Sequence, residues 1–275
     1  MPFPYQTVLI TGATSGIGLA LAERMIASGI FVIAVGRRKE RLDALVAKHG
    51  ADKVAGEVFD VADLDAIGGW ATKITATYPT LDALVLNAGF QRTINFTSPT
   101  TSAIPVLPTV TAELTTNYLS PLHTLSHFLP HLISLSPKPA AIIFISSGLA
   151  IHPMPRCPNY SASKAAIHSL AWSLRCQLSG PDSPATHHIR VIEVIPPAVQ
   201  TELHPQQEDL VRLGQDKLGI DLDKYADETW ADLLSGDADE VVHSVHREKL
   251  LRAEAERREM WEGFVSALRG QGIRF

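Results

Sequence analysis

Short apolar runs alternate with amphipathic stretches over the first two thirds of the chain. The apolar runs lie at residues 7–10, 31–35, 81–89, 140–146 and 189–195, and a weaker one ends at residue 60. Between them, apolar residues recur at helical spacing, as in residues 19–29 and 38–50. Nearly continuous apolar strands separated by amphipathic helices indicate a parallel sheet that is covered on both faces. The pattern therefore predicts a doubly wound α/β domain.

Two regions break this alternation. Residues 94–110 are rich in Ser, Thr and Pro, which predicts a surface loop before the next helix. After residue 200 the strands stop, and a charged, largely helical tail follows with no obvious seventh strand. An apolar stripe in this tail predicts docking onto its own domain or, as the alternative, a subunit interface. The stripe consists of Met260, Trp261, Phe264, Val265 and Leu268.

The composition narrows the range of partners and locations. The chain has 275 residues, of which 45% are hydrophobic and 19% charged, and its net charge is −5. No long basic run is present, so we expect neither nucleic acid nor a membrane as a partner. The two cysteines, Cys157 and Cys176, favour a reducing compartment over a disulfide framework. Because neither a secretory signal nor a long apolar span is apparent, we expect a cytoplasmic protein.

A glycine-rich turn lies between the first predicted strand and the first predicted helix. Gly12, Gly16 and Gly18 in TGATSGIG have a spacing typical of a dinucleotide-binding loop. Glycine permits the tight turn, the close approach of a pyrophosphate and close packing of the helix on the sheet. The N-terminus of the helix offers free N–H groups to phosphates. The residues expected to bind the dinucleotide are Gly12, Thr14, Ser15, Gly16, Ile17 and Gly18.

The residues after the second strand indicate which dinucleotide is bound. NAD-binding folds usually carry an acidic residue there, which accepts a hydrogen bond from the ribose 2′-hydroxyl. Here Gly36 is followed by Arg37 and Arg38, and a guanidinium suits a 2′-phosphate. We therefore predict NADP(H), with a solvated, basic helix start as the alternative. After the third strand, Asp60 and Val61 are expected against the adenine, unless Asp60 caps a helix that begins near residue 63.

Several polar residues could meet at the carboxyl ends of the strands, where open α/β sheets bind ligands. Tyr160 and Lys164 are four residues apart, so a helix places both on one face. A neighbouring ammonium lowers the pKa of a phenol, which is about 10 in its ordinary state. The pair is therefore either a proton-transfer device or a surface tyrosine beside a solvated lysine. Ser147 closes the fifth strand, and Asn117 lies in the helix after the fourth.

The chain resembles the short-chain dehydrogenase/reductase family over about residues 5–203. The motifs that carry the resemblance are, in order, TGATSGIG, LNAG, a mid-helix Asn117, ISS and YSASK. The resemblance implies a Rossmann-type fold and a catalytic tetrad of Asn117, Ser147, Tyr160 and Lys164. In the family pattern the tyrosine is the general acid, the serine holds the substrate oxygen and the asparagine holds a relay water. The lysine binds the nicotinamide ribose and lowers the tyrosine pKa. The implied cofactor contacts also include Asn87, Ala88, Gly89, Tyr160, Lys164, Pro196, Val199 and Thr201.

The chain departs from the family pattern at two places. The usual pair of asparagines reads Leu86-Asn87, and the usual Pro-Gly after the sixth strand reads Pro196-Pro197. Proline fixes φ and removes an N–H, so we expect a stiffer or differently placed loop beside the cofactor. The double proline followed by QTEL gives a weaker resemblance to oxidoreductases associated with D-alanylation of lipoteichoic acid. We infer no substrate from that resemblance.

The segment before Tyr160 is expected to form the wall of the substrate pocket. Its candidate substrate-contacting residues are Leu149, His152, Met154 and Arg156. A largely apolar wall suits a lipophilic or aromatic carbonyl compound, although Arg156 could also bind an anionic group. The histidines at positions 123, 127 and 131 lack a neighbouring carboxylate, and Pro130 is expected to interrupt their helix, so we predict no metal site.

These inferences together predict an NADPH-dependent carbonyl reductase or alcohol dehydrogenase, which transfers a hydride between nicotinamide and a ketone or secondary alcohol. One alternative is an NADP(H)-binding sensor or scaffold without turnover. Another is a family member with imine reduction, epimerisation or dehydration chemistry. We expect residues 1–203 to form the cofactor-binding and catalytic domain, with residues 204–275 as a substrate lid and a helical tail packed on it. The resemblance implies a homodimer or homotetramer that pairs through the helices bearing Asn117 and Tyr160.

Overall fold

A parallel β-sheet forms the centre of the protein in the computed structural model, which describes residues 3–97, 103–180, 183–236 and 238–274. The strands are β1 (Thr7–Thr11), β2 (Phe31–Gly36), β3 (Val54–Val58), β4 (Ala83–Leu86), β5 (Ala140–Ile145), β6 (Ile189–Ile195) and β7 (Glu240–Val242). Within the described residues the order is β3-β2-β1-β4-β5-β6-β7, and all neighbours are parallel. The strand order reverses beside β1, so the sheet is doubly wound, as the sequence predicts.

Helices connect the strands and cover both faces of the sheet. They are α1 (Gly16–Ala27), α2 (Lys39–His49), α3 (Ile67–Thr77), α4 (Ala103–Leu114), α5 (Ser120–Ser134), α6 (Pro158–Leu178), α7 (Glu208–Arg212), α8 (Leu222–Ser235) and α9 (Ser244–Gly270). A π-helical turn, Thr115–Leu119, joins α4 to α5. This Rossmann-type arrangement confirms the predicted fold class.

Two apolar layers hold the helices against the sheet, because successive side chains of a strand point to opposite faces. On one face, Val8 and Ile10 belong to a cluster that includes Trp230 of α8. On the other face, Leu9 belongs to a cluster that includes Phe128 of α5. All five side chains are buried. The sheet is therefore packed on both sides, and this fixes the positions of its carboxyl ends.

The sheet has a strand that the sequence pattern failed to predict. β7 contains only three residues and pairs in parallel with β6, with Val241 opposite Val194. A run this short carries no recognisable period of its own. Its position is fixed by packing instead, because Val241 and Val242 are both buried. The prediction that no further strand follows residue 200 is therefore wrong.

Prolines misled the sequence analysis in two places. The predicted loop at residues 94–110 becomes helical at Ala103, and Pro108 lies inside α4. Pro130 likewise lies inside α5 and does not interrupt it. An interior proline removes one backbone hydrogen bond and typically destabilises a helix by about 3 kcal/mol. In α5 the buried side chains of Phe128 and Leu132, on either side of Pro130, provide packing that offsets this loss.

The C-terminal helix α9 packs against the protein through only part of its predicted apolar stripe. The ring of Trp261 lies 5.5 Å from that of Trp172 in α6, and Leu250 is buried near the start of α9. By contrast, Met260 and Phe264 are 77% and 61% exposed. The prediction that the whole stripe docks onto the domain is therefore wrong for these two residues. Among the residues described, no helix is both long and apolar enough to cross a membrane.

Candidate active site

A cavity of about 1200 Å³ opens at the carboxyl ends of the strands. It is bordered by the glycine loop after β1, the ends of β4 and β5, the start of α6 and the segment after β6. Every residue that the sequence analysis proposed for the site lines this cavity, except Gly18 and Asn117. This is the position at which open α/β sheets bind ligands.

Tyr160 and Lys164 lie in the first two turns of α6, which begins at Pro158. Both side chains are buried, and the Lys164 Nζ lies 5.7 Å from the centre of the Tyr160 ring. The same ammonium donates a 2.8 Å hydrogen bond to the carbonyl oxygen of Ile145, the last residue of β5. Lys164 thus connects the catalytic face of α6 to the end of the sheet, and it is not a solvated surface lysine.

Burial controls the ionisation of this pair. It raises the pKa of the Tyr160 phenol, and the hydrogen bond with Ser147 offsets only part of that rise. Burial also lowers the pKa of Lys164 to about 8, against the opposing effect of the Glu193 carboxylate. The net result for Tyr160 is a pKa above its ordinary value, because desolvation of the phenolate is the larger effect. That Lys164 lowers this pKa stays a prediction.

Ser147 follows β5 directly and is held in place by its own backbone turn. Its Oγ accepts a 3.1 Å hydrogen bond from the Leu149 N–H, at the start of a short 3₁₀ turn. Its side chain is also hydrogen-bonded to Tyr160. A serine hydroxyl and a protonated phenol therefore meet at one point of the cavity wall.

Asn117 lies in the π-helical turn between α4 and α5, behind the cavity wall. Its Oδ1 accepts a 3.0 Å hydrogen bond from the Phe90 N–H, and its Nδ2 donates to the Phe90 carbonyl and to the Ser163 Oγ. Gly89 separates it from the cavity, and a Cβ on Gly89 would lie 3.0 Å from the Asn117 Oδ1 and 3.6 Å from the Lys164 Nζ. The side-chain amide therefore ties the end of β4 to α6, and a relay water stays a prediction.

The glycine loop requires glycine for two separate reasons. Gly12 and Gly16 have φ values of +69° and +55°, which lie in the left-handed region. Gly18 has an ordinary φ, but a Cβ there would collide with the Asn87 side chain and the Gly12 carbonyl. Asn87, the retained member of the usual pair, donates from Nδ2 to the Thr11 carbonyl at 2.9 Å. The end of β4 thus supports the loop directly.

The two arginines predicted to read the 2′-phosphate occupy different positions. Arg38 donates to the hydroxyls of Thr14 and Ser15, with distances of 2.6–3.0 Å. Arg37 is 76% exposed and lies 3.6 Å from Asp60. The sequence analysis missed Arg41 in α2 and Glu202 after β6, which form an ion pair of 2.5 Å beside Arg38. Only contacts across the fold reveal this pairing.

Asp60 and Val61 line the cavity near the end of β3. The Asp60 carboxylate accepts a hydrogen bond from the Ala62 N–H, whereas α3 begins only at Ile67. The alternative that Asp60 caps a helix beginning near residue 63 is therefore wrong. Among the residues that the structure describes, no group of three or more side chains is arranged to bind a metal ion.

The substrate end of the cavity is more polar than the sequence suggests. Leu149, His152, Met154 and Arg156 all line it. The sequence analysis missed a further set of polar lining residues, which are Gln91, Arg92, His204, Gln206, His246 and Lys249. The expected apolar wall is thus a mixed one, because the segments after β4 and β6 and the start of α9 contribute these side chains.

Arg156 is held by an ion pair on the rim of the cavity. Its guanidinium contacts both carboxylate oxygens of Asp209, at 2.6 and 2.8 Å, and donates to the Gln207 side chain. The Arg156 hydrogen bond is the largest influence on Asp209 and holds the pKa of that carboxyl at about 2. Arg156 therefore anchors the segment before Tyr160 to α7, a role that the sequence analysis did not assign.

Comparison with known proteins agrees with these motifs. A family model for short chain dehydrogenases matches residues 6–210. The chain is 38% identical over 228 residues to an uncharacterized oxidoreductase DltE of Bacillus subtilis (strain 168), covering 82% of this chain and 83% of the relative. It is 31% identical over 242 residues to a serine 3-dehydrogenase of Rhizobium radiobacter, covering 87% and 86%.

Solved structures give the same result. A short chain dehydrogenase from Burkholderia cenocepacia J2315, in complex with NADP, superposes with a TM-score of 0.73 at 26% identity. The alignment covers 96% of this chain and 98% of that one. The glycine loop, the Tyr160-Lys164 pair and these similarities lead to one conclusion: the chain belongs to the short-chain dehydrogenase/reductase family of oxidoreductases.

Proposed function

We propose that this oxidoreductase is an NADPH-dependent carbonyl reductase or alcohol dehydrogenase acting on a ketone or secondary alcohol. The observation that carries the proposal is the convergence of Ser147, Tyr160 and Lys164 in the same cavity as the glycine loop. Binding a dinucleotide does not by itself require an acid and a serine hydroxyl at its reactive end. A catalyst of carbonyl reduction requires both.

The residues around the glycine loop fit a nicotinamide dinucleotide. The positive φ values of Gly12 and Gly16 leave backbone without side chains facing the cavity, and a Cβ on Gly16 would come within 3.3 Å of Thr201. Thr14, Ser15 and Arg38 would hold a 2′-phosphate, which supports NADP(H) over NAD(H). When bound, the nicotinamide supplies or accepts the hydride.

The protein residues supply the proton. Because burial raises the Tyr160 pKa, its phenol keeps the proton at neutral pH and can donate it to a carbonyl oxygen. Ser147 donates a hydrogen bond to the same oxygen while negative charge develops on it. The Lys164 ammonium, 5.7 Å from the ring, stabilises the phenolate that remains. Asn117 positions these catalytic side chains because its side-chain amide donates hydrogen bonds to the Phe90 carbonyl and to the Ser163 Oγ.

The mixed wall of the cavity favours a carbonyl compound with a polar or anionic group over a purely lipophilic one. His152, His204 and Lys249 offer hydrogen-bond donors, while Leu149 and Met154 offer apolar contacts. One relative of this chain is a serine 3-dehydrogenase, whose name also indicates a polar substrate. We therefore propose hydroxy acids and carbonyl acids as the first substrates to test.

Three further points stay proposals, and only the assembly rests on the family resemblance. The residues after Thr201 form a lid over the substrate end, as part of a C-terminal unit that follows residue 203. The protein assembles as a homodimer or homotetramer through the helices that carry Asn117 and Tyr160. It works in the cytoplasm.

The test is turnover of NADPH and of NADH against a panel of carbonyl acids, ketones, aldehydes and cyclic imines. Tyr160→Phe should lower kcat by about 100-fold or more, as expected for loss of a general acid. Tyr78→Phe is the matched control, because Tyr78 lies at the far end of α3 against Phe31. Full turnover in Tyr160→Phe would contradict the proposal. Tight NADPH binding with no turnover across the panel would favour the sensor alternative.

A further inference from the structure

An anion already lies between Arg38, which is proposed to bind the cofactor phosphate, and Arg41, and it belongs to the chain itself. The Glu202 carboxylate accepts hydrogen bonds from the Arg38 Nη1 at 2.7 Å and the Arg41 Nη1 at 2.5 Å. Arg38 uses its remaining nitrogens to bind the hydroxyls of Thr14 and Ser15. Two guanidinium groups thus hold one carboxylate at the edge of the cavity, and one of them also contacts two hydroxyls.

This carboxylate is a charged and reachable ligand of the two arginines. Burial acts to raise the pKa of Glu202, but its hydrogen bonds with Arg38 and Arg41 outweigh that effect and hold the pKa below its usual range. Glu202 is therefore ionised at neutral pH. The side chains of Glu202, Arg38 and Arg41 remain 43%, 36% and 42% exposed, so another anion can approach the same guanidinium groups.

A phosphate monoester is a stronger competitor for such a site than any neutral group. It presents three acceptor oxygens and a charge of about −1.5 to −2 at neutral pH, against −1 for a carboxylate. Both anions form charge-assisted hydrogen bonds with guanidinium groups. A ribose 2′-hydroxyl carries no charge and cannot replace the carboxylate. Displacement of Glu202 therefore requires a 2′-phosphate.

We propose that Glu202 is an internal competitor for the 2′-phosphate subsite formed by Arg38 and Arg41, and that binding of a 2′-phosphorylated nucleotide displaces it. This inference rests on the proposed use of NADP(H). It assigns specificity to two residues outside the expected pair: Arg41 binds the phosphate, and Glu202 lowers the apparent affinity for it.

Displacement of Glu202 also affects the segment that reaches the substrate end. Glu202 follows Thr201, and Leu203 donates its N–H to the Thr201 Oγ1 at 3.3 Å. A few residues later, Gln207 donates to the Gln91 side chain at 2.9 Å and accepts from Arg156. Releasing the carboxylate removes the ion pairs that tie the start of this segment to α2, so phosphate binding loosens it there.

The test compares adenosine 2′,5′-bisphosphate with adenosine 5′-monophosphate by isothermal titration calorimetry. In Glu202→Gln the affinity for the bisphosphate should rise about tenfold, equivalent to about 1.4 kcal/mol, since two half-exposed ion pairs no longer compete. The affinity for the monophosphate should not change. Glu208→Gln is the matched control, because Glu208 is an exposed carboxylate six residues further along and should leave both affinities unchanged.

Other outcomes would overturn the proposal. Weaker binding of both nucleotides to Glu202→Gln would mean that the carboxylate contacts the nucleotide itself. Unchanged binding of the bisphosphate would mean that Glu202 does not compete. Arg41→Gln should weaken binding of the bisphosphate but not of the monophosphate, and Arg37→Gln should weaken bisphosphate binding less. If Arg37→Gln weakened bisphosphate binding more than Arg41→Gln, the phosphate would bind at the exposed Arg37 instead.

A second measurement separates this inference from the proposed function. Hydrogen–deuterium exchange over residues 199–208 should increase when the bisphosphate binds the wild type, and should already be high in Glu202→Gln. Neither nucleotide contains nicotinamide, so the result does not depend on hydride transfer. If both experiments succeed while no carbonyl substrate is reduced, only the proposed function fails. If the enzyme turns over with NADPH but neither the hydrogen–deuterium exchange nor the bisphosphate affinity changes, only the proposal that Glu202 competes with the phosphate is refuted.

Discussion

Replacing His168 with glutamine should destabilise the protein strongly, because this histidine lies between two buried carboxylates. Its Nδ1 lies 2.9 Å from the Glu193 side chain, and its Nε2 lies 3.0 Å from that of Glu254. The three side chains are 1%, 0% and 7% exposed. They connect the catalytic helix α6 to β6 and to α9.

The size of the effect follows from the charges left behind. Removing one partner of a buried ion pair typically destabilises a protein by about 3–5 kcal/mol. With a urea m value of about 3 kcal/mol/M, that loss lowers the unfolding midpoint by about 1–1.7 M. His127→Gln is the matched control, because His127 is exposed on α5 and should shift the midpoint little.

The pH dependence of this effect has a defined sign. Burial acts to lower the pKa of His168, but the hydrogen bonds and charges of Glu193 and Glu254 outweigh it and raise the pKa above its usual value. The stability that protonation contributes is therefore fully present below the unfolded pKa of about 6.5 and is lost as pH rises through the folded pKa. The difference in urea unfolding midpoint between the wild type and His168→Gln should therefore narrow as the pH rises. A midpoint shift equal to that of His127→Gln, or a difference that widens with pH, would refute the reasoning.

Two further substitutions test the glycine loop and the core. Gly18→Ala should weaken NADPH binding, because the added Cβ collides with Asn87 and the Gly12 carbonyl; calorimetric titration would measure this, and unchanged affinity would contradict the close approach. Phe128→Ala should lower the free energy of unfolding by about 3–5 kcal/mol, since the ring is fully buried and packs edge-on against Trp70 at 5.4 Å. A loss below about 1 kcal/mol in urea unfolding would show that the site collapses around the cavity.

Much of the fold and the centre of the site could be predicted because their signals are local. Except for the weaker β3, the strands from β1 to β6 carry nearly continuous apolar runs, and the glycine loop follows β1 directly. Tyr160 and Lys164 are related by one helical turn, so their shared face needs no knowledge of the rest of the fold. These features depend on spacings of a few residues.

The missed features depend on contacts between distant parts of the chain. Arg38 and Glu202 are 164 residues apart, His168 and Glu254 are 86 apart, and Arg156 and Asp209 are 53 apart. One partner of each pair lies after residue 200, where the sequence has no strand period to place it. The same absence of period concealed β7 and most of the missed polar side chains of the substrate wall.

The effect of burial on ionisation was the other feature beyond the sequence. Spacing alone shows that Lys164 can reach Tyr160, and it suggests a lowered phenol pKa. In the structure both side chains are buried, so desolvation raises the Tyr160 pKa and lowers that of Lys164. Which effect dominates depends on how completely β5 and α6 enclose the pair.

The most direct test of the central claim is to follow the hydride itself. The enzyme would reduce a carbonyl substrate found in the panel with NADPH dideuterated at the nicotinamide C4, and the product would be analysed by mass spectrometry. We predict one deuterium on the former carbonyl carbon of the alcohol, formed by the wild type and by Tyr78→Phe but not appreciably by Tyr160→Phe. Product without deuterium, or equal deuterated product from Tyr160→Phe, would contradict the assignment of this cavity as the site of hydride transfer with Tyr160 as the acid.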